Sequence, residues 1–171
     1  MKASASAAPR PTWRDYLPLL VVLAIAAAAA SAKFRDYALT AGATSWMHDF
    51  MGIFLVIFAM LKLFDLAKFA DGFQMYDLLA KHFRPYALAY PFIELGLGLG
   101  FLAEWHVAML YPISIVVMCF GAAGVIRALS LGLDVRCACM GNLLRVPLST
   151  VALAEDLGMA VMAAAMWLRV M

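Results

Sequence analysis

Five apolar stretches, each at or near the length needed to cross a bilayer, restrict this chain more than anything else in it. They are residues 17–32 (LPLLVVLAIAAAAASA), about 50–66 (FMGIFLVIFAMLKLFDL), about 87–103 (ALAYPFIELGLGLGFLA), about 107–126 and about 151–168. A helical span takes about 20 predominantly apolar residues. In hydrocarbon the backbone must satisfy its own hydrogen bonds, so such stretches fold as helices. The rest of the 171 residues do not dilute the signal: the chain is 66% hydrophobic and 14% charged, against about 45–50% and about 25% for a soluble domain. The expectation is an all-α integral membrane protein: a four-helix bundle (spans two to five), one further N-terminal transmembrane helix and an interfacial amphipathic helix. The lipid bilayer is its first partner. A net charge of +2 argues against nucleic acid.

Residues 1–16 are small, polar and basic, and read as a mobile tail ending in the interfacial aromatics Trp13 and Tyr16. The 17–32 stretch is 16 residues long, short for a span. With its basic leader and Ala-Ser-Ala it also matches a secretory signal peptide; a retained span, serving as a signal anchor, fits the charge distribution better. Residues 33–46 read as a polar loop. Between spans two and three, Phe69, Phe73, Tyr76, Ala80 and Phe83 recur at spacings of four and three, with Lys68, Asp71, Gln74, Asp77, Lys81 and Arg84 between them. That pattern predicts an amphipathic helix over 67–84 lying in the interface, ended by Pro85. Gly96 and Gly100 form a small-xxx-small pair suited to close helix packing, Pro91 falls near the start of span three, and Ser149 or Thr150 suits the N-cap of the last span.

With five spans, Lys2, Arg10, Arg14, Lys62, Lys68, Lys81, Arg84, Arg127, Arg136 and Arg145 fall on one side. Only Lys33, Arg35 and Arg169 fall on the other. The positive-inside rule places the larger group in the cytoplasm, and with it the amino terminus and the 127–148 connection.

Charges inside the spans converge on that same side. Lys62 and Asp65, at i and i+3, share a helix face and are expected to pair. Glu94 lies deeper, Glu155 and Asp156 open the last span, and Arg127 closes the fourth. Ionisable groups at membrane depth are costly and mark a site, a pairing or a proton path. The expectation is a charge network of Lys62, Asp65, Asp156 and Arg127, with Glu94 and Glu155 handling protons.

The 127–148 connection carries Arg136-Cys137-Ala138-Cys139-Met140-Gly141-Asn142. Arg136 favours the thiolate form of its neighbour. Two thiols one residue apart either cycle between dithiol and strained disulfide or grip a soft metal ion. Which of Cys137 and Cys139 attacks, the sequence does not rank. Cys119, mid-span, reads as a buried small hydrophobe. Met47, His48, Met51, His106 and Met109 gather near the outer ends of spans two and four, but match no metal-ligand spacing.

The run MGIFLVIFAMLKLFDLAKFADGFQMYDLL, then YPFIELGLGLGFL, then CACMGNLLRVPLS and an acidic last span, resembles the MauE/DoxX family of redox-associated membrane proteins over about residues 48–170. The resemblance implies a DoxX-like bundle of four core spans in the bacterial inner membrane and a setting of methylamine dehydrogenase maturation, where many disulfides form, or of quinone-linked oxidation. It supports Lys62, Asp65, Glu94, Cys137 and Cys139, and it implies quinone as a cofactor.

Three functions stay open at this point. In the first, Cys137 and Cys139 exchange electrons with a protein thiol–disulfide partner, making the chain a thiol–disulfide oxidoreductase, with Arg136, Glu94 and Glu155 assisting. In the second, the same thiolates bind or pass on Cu, Hg or Zn. In the third, the bundle is a non-catalytic scaffold.

Overall fold

The computed structural model describes residues 16–37, 42–131 and 148–170. Over these the chain is helical: α1 (Leu17–Tyr37), α2 (Gly42–Leu63), α3 (Leu66–Phe73), α4 (Arg84–Leu102), α5 (Val107–Ser130) and α6 (Leu148–Val170). Four segments are long and apolar enough to cross a membrane: Gly42–Leu63, Arg84–Leu102, Val107–Ser130 and Val151–Arg169. A shorter apolar stretch, Leu19–Lys33, lies in α1. The chain is an all-α membrane protein. Its outer face carries Phe92, Leu99, Ile113, Val116 and Val161, all exposed, as a surface solvated by lipid requires.

Several boundaries differ from those the sequence suggests. The 33–46 stretch is not one loop: α1 runs on through Tyr37 and α2 already begins at Gly42. The amphipathic helix expected over 67–84 is real only as α3; from Gln74 to Phe83 the chain makes successive turns. The reason is Asp77, whose Oδ1 accepts the backbone N–H groups of Leu79 (2.9 Å) and Ala80 (2.8 Å). A short acceptor that takes the N–H groups two and three residues ahead starts a new turn instead of continuing an old helix. Pro85 opens α4, where its missing N–H costs nothing; Pro91 therefore lies inside α4 and not near its start. Ser149 and Thr150 lie within α6, which begins one residue before them.

Two close pairs of helices make the bundle, α2 with α4 and α5 with α6, and α1 lies along α2. The α2–α4 approach rests on Gly52 and Gly98: a Cβ on either would come within 2.8–3.0 Å of the other's carbonyl oxygen. The expected pair, Gly96 and Gly100, does not make this contact. Gly96 has open space beside it, and Gly100 packs on Leu110 of α5. The register is set by which glycine faces inward, and spacing alone does not say which. Met51, Leu55, Phe101, Tyr111, Met118 and Met166 fill the core. α1 adds Val22 and Ala26 to it and is pinned to α2 by Lys33–Asp49 (2.6 Å) and by Trp46 Nε1 donating to Ser31 Oγ (3.1 Å). Under α3, Phe69, Phe73, Ala87 and Tyr90 form a second apolar cluster.

Candidate functional site

Lys62 sits one residue before the end of α2, yet its side chain is buried. The chain turns at Phe64–Asp65, and α3 with the 74–83 turns folds over that end of the bundle. Beneath this cover, Lys62 Nζ donates to Glu94 Oε1 of α4 and to Glu155 Oε1 of α6, the latter at 3.0 Å. The rings of Phe58, Phe69 and Tyr90 surround the ammonium, with centroids 5.8, 5.8 and 5.4 Å away. An ammonium taken out of water needs such partners, because desolvation otherwise outweighs its attraction to any single acid.

Glu94 is fully buried; among the described residues its Oε2 accepts no hydrogen bond of normal geometry, although the Tyr90 hydroxyl lies beside the carboxyl. Asp156, next to Glu155, is also buried and rests on α5 at Gly121. A Cβ there would meet Asp156 Oδ2 at 2.7 Å. Among the described residues, three carboxyl groups therefore share one dry region with a single ammonium. A buried site with more acids than bases is suited to holding and passing protons.

The turn after α3 brings a fourth acid. Asp77 is 1% exposed, and its backbone presses on α5 where a Cβ at Gly124 would lie 3.1 Å from Asp77 Cα. One carboxyl oxygen serves the turn; the other, Oδ2, has no partner among the described residues. Burial holds this carboxyl above the usual carboxylate range, against the backbone N–H groups of Ala80, Leu79 and Leu78, which pull it down.

The structure brings together Lys62, Glu94, Glu155 and Asp156, and leaves out two residues expected beside them. Asp65 does not pair with Lys62. It caps α3 through the Lys68 N–H (3.3 Å) and pairs with the Lys68 ammonium (2.6 Å), which holds its exposed carboxyl below the usual range. The i, i+3 rule presupposes one continuous helix, and here the helix breaks between the two residues. Arg127 is exposed near the end of α5, outside the network. Arg136, Cys137 and Cys139 lie outside the described residues. Cys119, expected to be buried, is exposed on α5 as a free thiol.

At the opposite end of α2 a smaller polar group forms. His48 Nε2 and the Tyr111 hydroxyl are 2.5 Å apart in the core, and Glu104 Oε1 accepts from Ser45 Oγ at 3.1 Å with His48 Nδ1 at 3.5 Å. The methionines and histidines of this end do not converge: Met51 is in the core, while Met109 and His106 are exposed. Among the described residues no three His, Cys, Asp or Glu side chains are placed to hold a metal.

Four apolar spans that bury an ammonium among carboxyls define a multi-pass helical membrane protein with an ionisable interior. The chain belongs to the MauE family: the family model for methylamine utilisation protein MauE matches residues 41–169, which takes in α2 to α6 and begins after α1. No curated protein and no solved structure matches the chain.

Proposed function

We propose that this MauE-family protein supports thiol–disulfide chemistry at the bacterial inner membrane, in the maturation of a partner enzyme of methylamine utilisation. Cys137 and Cys139 are the exchanging pair in this reading. The observation that carries it is the buried group of Lys62, Glu94, Glu155 and Asp156. The segment bearing both cysteines joins α5 to α6, and Glu155 lies seven residues into α6 from Leu148, about 10 Å along the helix. Thiol oxidation releases protons as well as electrons, and buried acids on the helices this segment joins can take them up.

In the exchange, one thiolate attacks a partner disulfide and forms a mixed disulfide. The second thiolate then displaces the partner's sulfur. The Cys137–Cys139 pair ends oxidised by two electrons and the partner disulfide ends as two thiols; the two protons given up by the pair and the two gained by the partner balance, with the buried acids as their carriers. Arg136 favours the attacking thiolate. The family resemblance implies a quinone as the final electron carrier. No step is assigned to it. The excess of basic residues on one side of the spans supports a cytoplasmic amino terminus.

Differential alkylation in intact cells tests the reading. A Cys139→Ser or Cys137→Ser variant is expected to trap a mixed disulfide with a partner protein, and the double variant to lose function. Full function in the double variant, or stoichiometric metal binding by the reduced protein without any trapped partner, overturns it.

A further inference from the structure

The proton traffic assigned to the buried acids needs a route to the surface, and Asp77 is placed to begin one. As a turn-former it needs only the oxygen that caps Leu79 and Ala80, a task Asn or Ser performs equally well. Among the described residues the second oxygen has no donor, and Glu94 Oε2, deeper in the bundle, has none of normal hydrogen-bond geometry. Two unpartnered carboxyl oxygens, one under the interfacial turn and one in the core, are costly unless they bind protons in turn.

Between them stand two tyrosines, packed beside the apolar Phe69 and Phe73. On α4, Tyr86, Tyr90 and Glu94 follow one another at i, i+4 and i+8, so they share one face of the helix. The rings of Tyr86 and Tyr90 meet edge to face at 6.0 Å. Tyr86 also packs on Phe73 of α3, four residues before Asp77, with ring centroids 6.1 Å apart. On α5, Asp77 abuts Gly124 and Asp156 abuts Gly121, one helical turn apart. Near Asp77 lie Tyr76 of its own turn, Tyr86 of α4 and Asp156 of α6, and α5 meets its backbone at Gly124. Lys81 and His82, later in the same turn, are exposed and adjoin water.

We infer that Asp77 is the entry of a proton path that runs through Tyr86 and Asp156 to the Glu94–Lys62–Glu155 group. It rests on the reading of that group as the proton-handling part of the protein. Asp77 takes a proton from the surface side and passes it inward, and each acid regains its charge as the next receives the proton. Asp77 is a positioning residue for proton delivery and touches no thiol.

The test uses purified full-length protein carrying Cys137→Ser and Cys139→Ser in lipid vesicles, so thiol chemistry cannot enter the result. Infrared spectroscopy follows the protonated-carboxyl C=O band as water is replaced by heavy water. In the parent protein the band is expected to shift as fast as solvent is exchanged. In Asp77→Asn, which keeps the turn's acceptor, the shift of the remaining band is expected to slow about tenfold or more, and in Tyr86→Phe by a smaller factor. Glu94→Gln should remove part of the band itself. Unchanged exchange in both Asp77→Asn and Tyr86→Phe, with circular dichroism showing intact helices, overturns the path but leaves the thiol exchange standing. If carboxyl exchange slows as expected here while the protein with both cysteines intact traps no partner disulfide, only the function proposed above is overturned. A parent protein without any protonated-carboxyl band overturns the path.

Discussion

Lys62 of α2 and Glu155 of α6 are 93 residues apart in sequence and joined by a 3.0 Å hydrogen bond. With Glu94 on the same ammonium, this contact ties three spans through one nitrogen. Removing that nitrogen leaves buried carboxyls with no counter-charge. Lys62→Leu is expected to cost about 3–5 kcal/mol, measured as unfolding of the purified protein in bicelles under increasing denaturing detergent. A Lys62→Leu, Glu94→Gln, Glu155→Gln triple variant should recover most of the loss. A neutral Lys62→Leu would mean that the acids are already compensated by something else.

The glycines give a prediction with its own control. Gly98→Ala puts a methyl group against Gly52 O and Val56 of α2, and is expected to destabilise by about 1–3 kcal/mol. Gly96→Ala, two residues away with open space beside it, should be neutral or raise stability, since alanine is the better helix former by up to about 1 kcal/mol. Thermal denaturation of the two variants side by side decides which glycine makes the helix contact.

α1 buries Val22, Ala26 and Ala30 and holds Asp49 through Lys33. It is expected to remain part of the mature protein, so intact-mass measurement on protein extracted from membranes should include residues 17–32. Asp49→Asn alone should cost no more than about 1 kcal/mol, because Lys33 is half exposed. A mass corresponding to cleavage near residue 32 would contradict this.

Asp77 makes stability depend on pH in a direction opposite to that of a salt-bridged acid. Its folded carboxyl holds a proton more tightly than in the unfolded chain. Its contribution is therefore complete below the unfolded pKa of about 3.9 and is lost as pH rises through the folded value. The stability of the parent protein minus that of Asp77→Asn should fall as pH is raised from about 4 and then level off. A difference that stays flat, or rises, would show that Asp77 is ionised at no cost.

How far the sequence anticipates this structure depends on the range of the signal. The apolar runs of α2, α4, α5 and α6 announce themselves, because a membrane demands length and hydropathy of each helix separately. Glu94 and Glu155 stand out for the same reason: an acid flanked by apolar residues is conspicuous. Their common partner is not, since the local spacing offers Asp65, which the break after Leu63 carries away to cap α3. Asp77 is the clearest miss. The 3.6-residue period assigns it to the polar face of a long helix, and only the end of α3 at Phe73 turns it inward. Gly72 and the run Asp77-Leu78-Leu79-Ala80, where a short acid precedes free N–H groups, were the available hints. Arg136, Cys137 and Cys139 carry the reactive chemistry of the proposal and lie outside the described residues.

The berth of Asp156 is made by a missing methyl group on a different helix, and that of the Asp77 turn by another one turn further on. A random-mutation screen should therefore recover alanine at Gly121 and Gly124 among its impaired variants, at positions where no charge changes and no reactive atom is touched. In this protein the space left for acids is inherited from α5, and any redesign of the ionisable interior has to begin with the helix that contributes nothing ionisable to it.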